Sequence, residues 1–140
     1  MLYLDTSLLV AALTNEMRTP AVQKWLEDQE PEELAASDWV VVEFSSALSI
    51  KLRSGQIGPA HRADALAMFT SLCRDSLDIV PVSRTDFRLA ARFADQHELG
   101  LRAGDALHLA ICAERGATLC TLDRRQSDAG PAVGVKTTLL

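Results

Sequence analysis

Four carboxylates stand where a chain built only for packing has little use for them: Asp5, Glu43, Asp105 and Asp123. Asp5 closes the apolar run Leu2-Tyr3-Leu4, and Asp123 closes Thr118-Leu119-Cys120-Thr121-Leu122, so both are expected to leave the carboxyl ends of buried strands. Glu43 interrupts an apolar stretch, Trp39-Val40-Val41-Val42 before it and Phe44 after it, in the early turns of a helix. Asp105 begins the run Ala106-Leu107-His108-Leu109-Ala110-Ile111, just after the Arg102-Ala103-Gly104 turn. Singly, each acid has an ordinary account. Asp5 and Asp105 can cap helices, a role worth about 0.5–2 kcal/mol, and Asp123 can open a surface turn with Arg124 and Arg125. Glu43 is harder to explain that way, because a mid-helix carboxylate between Val42 and Phe44 is costly to bury unless paired or bound to a cation. Converging together, the four would repel one another and rise in pKa unless a divalent ion neutralised them. An all-oxygen donor set selects a hard cation, Mg²⁺ or Mn²⁺, over a structural zinc. Such an ion can hold a phosphate oxygen, acidify a water and stabilise the attacking and leaving oxygens of phosphodiester hydrolysis.

Convergence needs strands and helices that alternate, and the pattern supplies them. A strand is expected over Met1–Asp5, then a helix over Ser7–Leu13 opening at Thr6 or Ser7. Thr19 and Pro20 read as N-cap and first position of a second helix, running toward the acidic Glu27–Glu33 turn. A short strand over Leu34–Ser37 precedes a long helix, Trp39–Ser54, capped by Ser37 or Asp38, striped by Val41, Phe44, Leu48 and Leu52, and stopped at Gly55. Further along come a helix over Pro59–Cys73, a strand over Leu77–Val82, a helix from Ser83 or Thr85 to His97 ended by Gly100, and a helix from Ala103 to Gly116. Strands over Ala117–Leu122 and Val133–Thr138 complete the pattern. Strand and helix alternating through short joints imply a parallel sheet covered on both faces, with ligands bound beyond the carboxyl ends of its strands.

The 140 residues suit one domain, with 48% hydrophobic residues and enough length to bury a core without disulfides. Cys73, Cys112 and Cys120 sit in apolar runs without ligand-like spacing, and read as buried reduced thiols. Apolar stretches are too short to span a bilayer, and Met1 leads into Leu-Tyr-Leu-Asp with no basic segment or cleavage site, so a cytoplasmic location is expected. A net charge of −5 argues at face value against nucleic-acid binding. Several acids gathered in one cluster whose charge cations offset would make net charge a poor guide to the field near a substrate.

Four short segments, in order and at these intervals, resemble a PIN-domain nuclease, in particular the VapC toxins of type II toxin–antitoxin pairs. They are Leu-Tyr-Leu-Asp-Thr-Ser at 2–7, Val-Val-Glu-Phe-Ser-Ser-Ala-Leu around Glu43, Gly-Asp-Ala-Leu-His-Leu-Ala at 104–110 and Thr-Leu-Asp-Arg-Arg at 121–125, and the likeness covers essentially the whole chain. The resemblance implies a single α/β/α sandwich over residues 1–140 with a central parallel sheet, and Mg²⁺- or Mn²⁺-dependent endoribonuclease activity. It implies Asp5 and Asp105 as direct metal ligands, with Glu43 and Asp123 completing the acidic site directly or through water. Thr6, Ser7 and Thr121 match small hydroxyl positions able to hydrogen-bond the carboxylates, although capping explains Thr6 and Ser7 equally well. An antitoxin partner and a homodimer follow from the same resemblance. His108 stands where a small or aliphatic residue is common and is expected to be packed, and the segment after Asp123 lacks the aromatic that often follows. Asp128 is expected to be a solvated turn residue.

Arg84, Arg88 and Arg92 recur at four-residue spacing, and pairing with Asp95 at a solvated face is the expected use. Arg102, Arg124 and Arg125 flank Asp105 and Asp123 and are the better candidates for RNA phosphates. Trp25, Leu26 and the apolar faces of the Trp39 and Pro59 helices offer core packing, or a dimer or antitoxin groove. An aspartyl-nucleophile phosphatase would want a second acid two positions after Asp5, where Ser7 stands. A PIN-like RNA-processing or binding module without toxin function is the remaining alternative.

Overall fold

A computed structural model describes residues 1–140. Five strands form one sheet, all pairs parallel, in the order β3-β2-β1-β4-β5. In chain order the elements are β1 (Leu2–Leu4), α1 (Thr6–Leu13), α2 (Thr19–Glu27), β2 (Leu34–Ser37), α3 (Asp38–Arg53) and α4 (Pro59–Asp75). There follow β3 (Asp78–Val80), α5 (Arg84–Ala94), α6 (Ala103–Arg115), β4 (Thr118–Thr121), α7 (Arg124–Ala129) and β5 (Thr137–Leu139). Right-handed crossovers send α1 to α4 to one face as the chain steps outward from β1, and α5 to α7 to the other as it returns to β4. The contacts agree: α1 packs on α2, α3 and α4, while α6 packs on α5 and α7. The strand order therefore reverses between β1 and β4, the place where such sheets open a crevice.

The strands are apolar because both faces are covered. Tyr3, Leu4, Ala35, Ala36, Leu119 and Cys120 are fully buried. On α3 the buried stripe is Val40, Phe44 and Leu48, and Phe44 stacks on Phe69 of α4 with ring centroids 4.0 Å apart. Val41, expected on that stripe, is exposed instead: a four-residue step from Phe44 back along the helix reaches Val40. Trp25 and Leu26 pack partly buried against the core.

Several boundaries differ from those the sequence suggests. α1 does open at Thr6, and its cap is Asp5, one of the two acids that could cap, whose carboxylate accepts from the Leu8 amide at 3.0 Å. Thr19 is already helical, and its buried hydroxyl instead joins the Glu16 amide to the carbonyls of Ala11 and Thr14. α5 stops at Ala94 and a 3₁₀ turn over His97–Leu99 follows. The six residues after Asp123 form the helix α7, and Val133 ends a 3₁₀ turn, so the last strand begins only at Thr137. Arg84, Arg88 and Arg92 are exposed and form no ion pair. Cys112 and Cys120 are buried free thiols, whereas Cys73 is only half-buried. No helix is long and apolar enough to cross a membrane.

Candidate active site

The β1–β4 register pairs Leu4 with Cys120, so the next residues, Asp5 and Thr121, stand side by side at the carboxyl edge. Asp5 is 3% exposed and held by three donors. Ser7 Oγ–H (2.8 Å) and the Leu8 amide reach Oδ1, and Thr121 Oγ–H (2.6 Å) reaches Oδ2. Burial pushes its pKa up, and the hydrogen bonds from Thr121, Leu8 and Ser7 pull the other way without cancelling the rise. Capping and a place in the acidic site are therefore compatible in one residue. Ser7, which stands where an aspartyl-nucleophile phosphatase would want a second acid, is engaged with Asp5 and the Leu122 amide.

Glu43 projects from the second turn of α3 across the crevice, its side chain 28% exposed. Oε2 accepts from Thr6 Oγ–H of α1 and lies 2.7 Å from His108 Nε2 of α6. Partial burial raises its pKa, but the hydrogen bonds from His108 and Thr6 pull it down, and on balance it stands below the ordinary carboxylate range. Thr6 thus serves a neighbouring carboxylate rather than its own helix. His108 is packed as expected, at 3% exposure, yet it is also polar-bonded on both nitrogens: Nδ1 lies 2.9 Å from the Tyr3 hydroxyl.

Asp105 occupies the third position of α6 and accepts from the Arg102 amide through Oδ2 at 3.2 Å. Asp123 caps α7, its Oδ1 accepting from the Gln126 amide. Gln126, buried and not anticipated from the sequence, ties the edge together: its Oε1 faces Thr121 Oγ1 at 3.1 Å and its side-chain amide faces the Asp105 carbonyl. The close approach of α6 to Glu43 depends on Gly104, where a Cβ would stand 2.8 Å from Glu43 Oε1. The four acids, with Thr6, Ser7, His108 and Gln126, line one cleft of about 300 Å³. A wider cavity of about 700 Å³ adjoins it through Asp105 and Asp123, lined by Arg102, Arg124 and Arg125. Asp128 is exposed on that wider cavity and does not reach the acidic cleft.

Residues 2–130 match the family model described as PIN domain. The chain belongs to the PIN-domain family. It is 34% identical over 116 residues to ribonuclease VapC47 of Mycobacterium tuberculosis, covering 81% of this chain and 76% of that protein. Among solved structures, the sarcin-ricin-loop-cleaving toxin VapC20 of M. tuberculosis superposes with a TM-score of 0.76 at 20% identity, over 93% of this chain and 95% of that one. VapBC2 of Rickettsia felis, solved bound to a promoter DNA fragment, gives 0.67 at 18% identity, over 100% and 99%.

The donor chemistry of the cleft fits a hard divalent cation. The cleft offers carboxylate oxygens and no thiolate, and both His108 nitrogens are already engaged. Asp105 Oδ1 and Asp123 Oδ2 accept no hydrogen bond from the protein, leaving one free oxygen on each, and the Trp39 indole stands beside the Glu43 carboxylate. No three acidic, thiol or imidazole groups stand close enough to ligate one ion by themselves. That set suits a cation bound by one or two carboxylates with water completing its shell, the habit of Mg²⁺.

Proposed function

We propose that this PIN domain is a Mg²⁺- or Mn²⁺-dependent endoribonuclease and the toxin of a toxin–antitoxin pair. The observation that carries the reading is the gathering of Asp5, Glu43, Asp105 and Asp123 on one cleft, with an unpartnered oxygen left on Asp105 and on Asp123. Asp5 and Asp105 are the proposed direct ligands, and Glu43 and Asp123 bind directly or through water. When bound, the ion supplies charge stabilisation for the phosphoryl oxygens and a water of lowered pKa. The chain's own contribution is orientation: Ser7 and Thr121 fix Asp5, Thr6 fixes Glu43, and Gln126 holds Asp123.

RNA as substrate is supported by the likeness to a ribonuclease and by Arg102, Arg124 and Arg125, which line the adjoining cavity and can take phosphates on either side of the scissile bond. The negative net charge is no obstacle if the acids are concentrated where cations bind. An antitoxin partner is supported by the toxin–antitoxin complexes among the structural relatives. An apolar hollow lined by Trp39, Phe87, Ala90, Ala94 and Leu107 offers a contact surface for that partner or for a second copy in a homodimer.

The test is cleavage of RNA by purified wild-type, Asp5→Asn and Asp105→Asn proteins with Mn²⁺ or Mg²⁺ and with EDTA. Asn at position 5 can be accommodated, because Thr121 can turn its proton to Gln126 and accept from the new amide. Both folded variants should lose more activity than the roughly 10–100-fold that outer-shell changes cost. Wild-type rates in both variants, or cleavage indifferent to EDTA, would refute the assignment.

A further inference from the structure

A row of buried polar atoms runs from the start of α3 into the acidic cleft. The Val40 amide reaches Ser37 Oγ (3.4 Å), Ser37 Oγ lies 2.7 Å from the Tyr3 hydroxyl, that hydroxyl 2.9 Å from His108 Nδ1, and His108 Nε2 2.7 Å from Glu43 Oε2. Ser37, Tyr3 and His108 are at most 3% exposed, so each proton must find its acceptor inside the protein.

Counting protons fixes the direction. Ser37 Oγ already accepts from Val40, and the Tyr3 oxygen is the acceptor the structure offers its own proton. The Tyr3 proton then goes to Nδ1, which must carry a lone pair, and the imidazole proton resides on Nε2, facing the Glu43 carboxylate. Reversing the row would leave the Ser37 proton without an acceptor, and in a neutral ring it would also turn a nitrogen lone pair toward a carboxylate.

We propose that Tyr3 and His108 are positioning residues for the acidic site: the Tyr3 hydroxyl fixes the imidazole proton on Nε2, and that N–H holds Glu43 Oε2 so that Oε1 faces the cleft for a divalent cation. His108 comes from α6 and Thr6 from α1, so Glu43 is gripped from both layers of the sandwich. His108 has no nitrogen left with which to act as a base toward substrate. The proposal rests on the metal-dependent reading of the site, and its test separates the two.

The variants are Tyr3→Phe, His108→Leu and His108→Gln, whose side-chain amide can still donate to Glu43. Three quantities are read on folded protein: the nitrogen NMR shifts of His108, Mn²⁺ affinity by titration, and kcat and KM for RNA at saturating Mn²⁺. Wild type should show the proton on Nε2, and Tyr3→Phe should change that spectrum. His108→Leu should weaken Mn²⁺ binding about 10–100-fold and lower kcat with little change in KM, and His108→Gln should recover most of both. A purely structural role would lower stability in all variants and leave the Mn²⁺ affinity of the folded fraction unmoved. A wild-type imidazole protonated on Nδ1, or His108→Leu binding Mn²⁺ like wild type, overturns the proposal alone. A wild-type protein that binds no Mn²⁺ overturns the functional reading and the cation half of the proposal, while the NMR spectrum still decides the relay. Should His108→Leu fail to fold, His108→Gln and Tyr3→Phe carry the test: unchanged Mn²⁺ affinity together with an unchanged imidazole spectrum in Tyr3→Phe overturns it.

Discussion

Thr121→Val asks whether one hydroxyl organises the carboxyl edge of the sheet. Thr121 is fully buried, so valine fills the same space and leaves no cavity. It removes the donor to Asp5 Oδ2, at 2.6 Å, and the acceptor for the Asp123 amide, at 2.9 Å. A hydrogen bond to a charged group contributes about 1.5–3 kcal/mol, and an amide left without its partner costs about 1–3 kcal/mol. The expected loss is therefore about 2.5–6 kcal/mol, a large share of the roughly 5–15 kcal/mol that keeps a domain folded. Thr121→Ser, which keeps the hydroxyl and loses one buried methyl, should cost only about 1 kcal/mol. Urea unfolding monitored by circular dichroism measures both. The pH dependence supplies a sign. Asp5 has a raised folded pKa, so its ionisation opposes folding: its own contribution is greatest below its ordinary value of 3.8 and declines as pH rises through the folded value. Losing the Thr121 donor raises that value further, so the valine penalty should be smallest in acid and grow as Asp5 ionises. A valine variant as stable as the serine one at neutral pH, or a penalty larger in acid, would refute this account.

Gly104→Ala should separate stability from activity. Alanine favours the helix by about 0.5–1 kcal/mol, but its Cβ would stand 2.8 Å from Glu43 Oε1, so Mn²⁺-dependent cleavage should fall while the thermal midpoint holds or rises. Glu43 has a lowered folded pKa, so it contributes stability above its ordinary value of 4.5 that is lost as pH falls through the folded value. Wild type should therefore exceed Glu43→Gln in stability at neutral pH, with the gap closing in acid, and the glutamine variant should be impaired in cleavage. Replacing the exposed Arg124 and Arg125 by Ala should weaken RNA binding at low salt, lowering the salt slope by about one per arginine while leaving unfolding unchanged.

The sequence by itself determined the parts that depend on near neighbours. An apolar run closed by an acid marks a strand end, so Asp5 and Asp123 were legible at the carboxyl edge, and the alternation of strands and helices implied the parallel sheet around them. Gly55, Gly100 and Gly116, all with positive φ, punctuate the chain where the pattern suggests stops. Short elements were less legible: the six-residue α7 buries too few side chains to show a helical period, and the pattern around Val133 does not distinguish a 3₁₀ turn from a strand.

Only the tertiary structure decided which polar groups meet. Tyr3 and His108 are 105 residues apart, His108 and Glu43 are 65 apart, and Thr121 and Asp5 are 116 apart. His108 has a buried helical environment that suits a packed side chain, and nothing adjacent in the chain marks it as the partner of a carboxylate. Gln126 and Gly104 likewise take their roles from neighbours on other elements. Local pattern encodes whether a side chain faces inward, because that follows from the period of its own strand or helix. Hydrogen-bond partners are set by where separate elements cross, and that becomes definite only when β1 and β4 pair and α6 closes over α3.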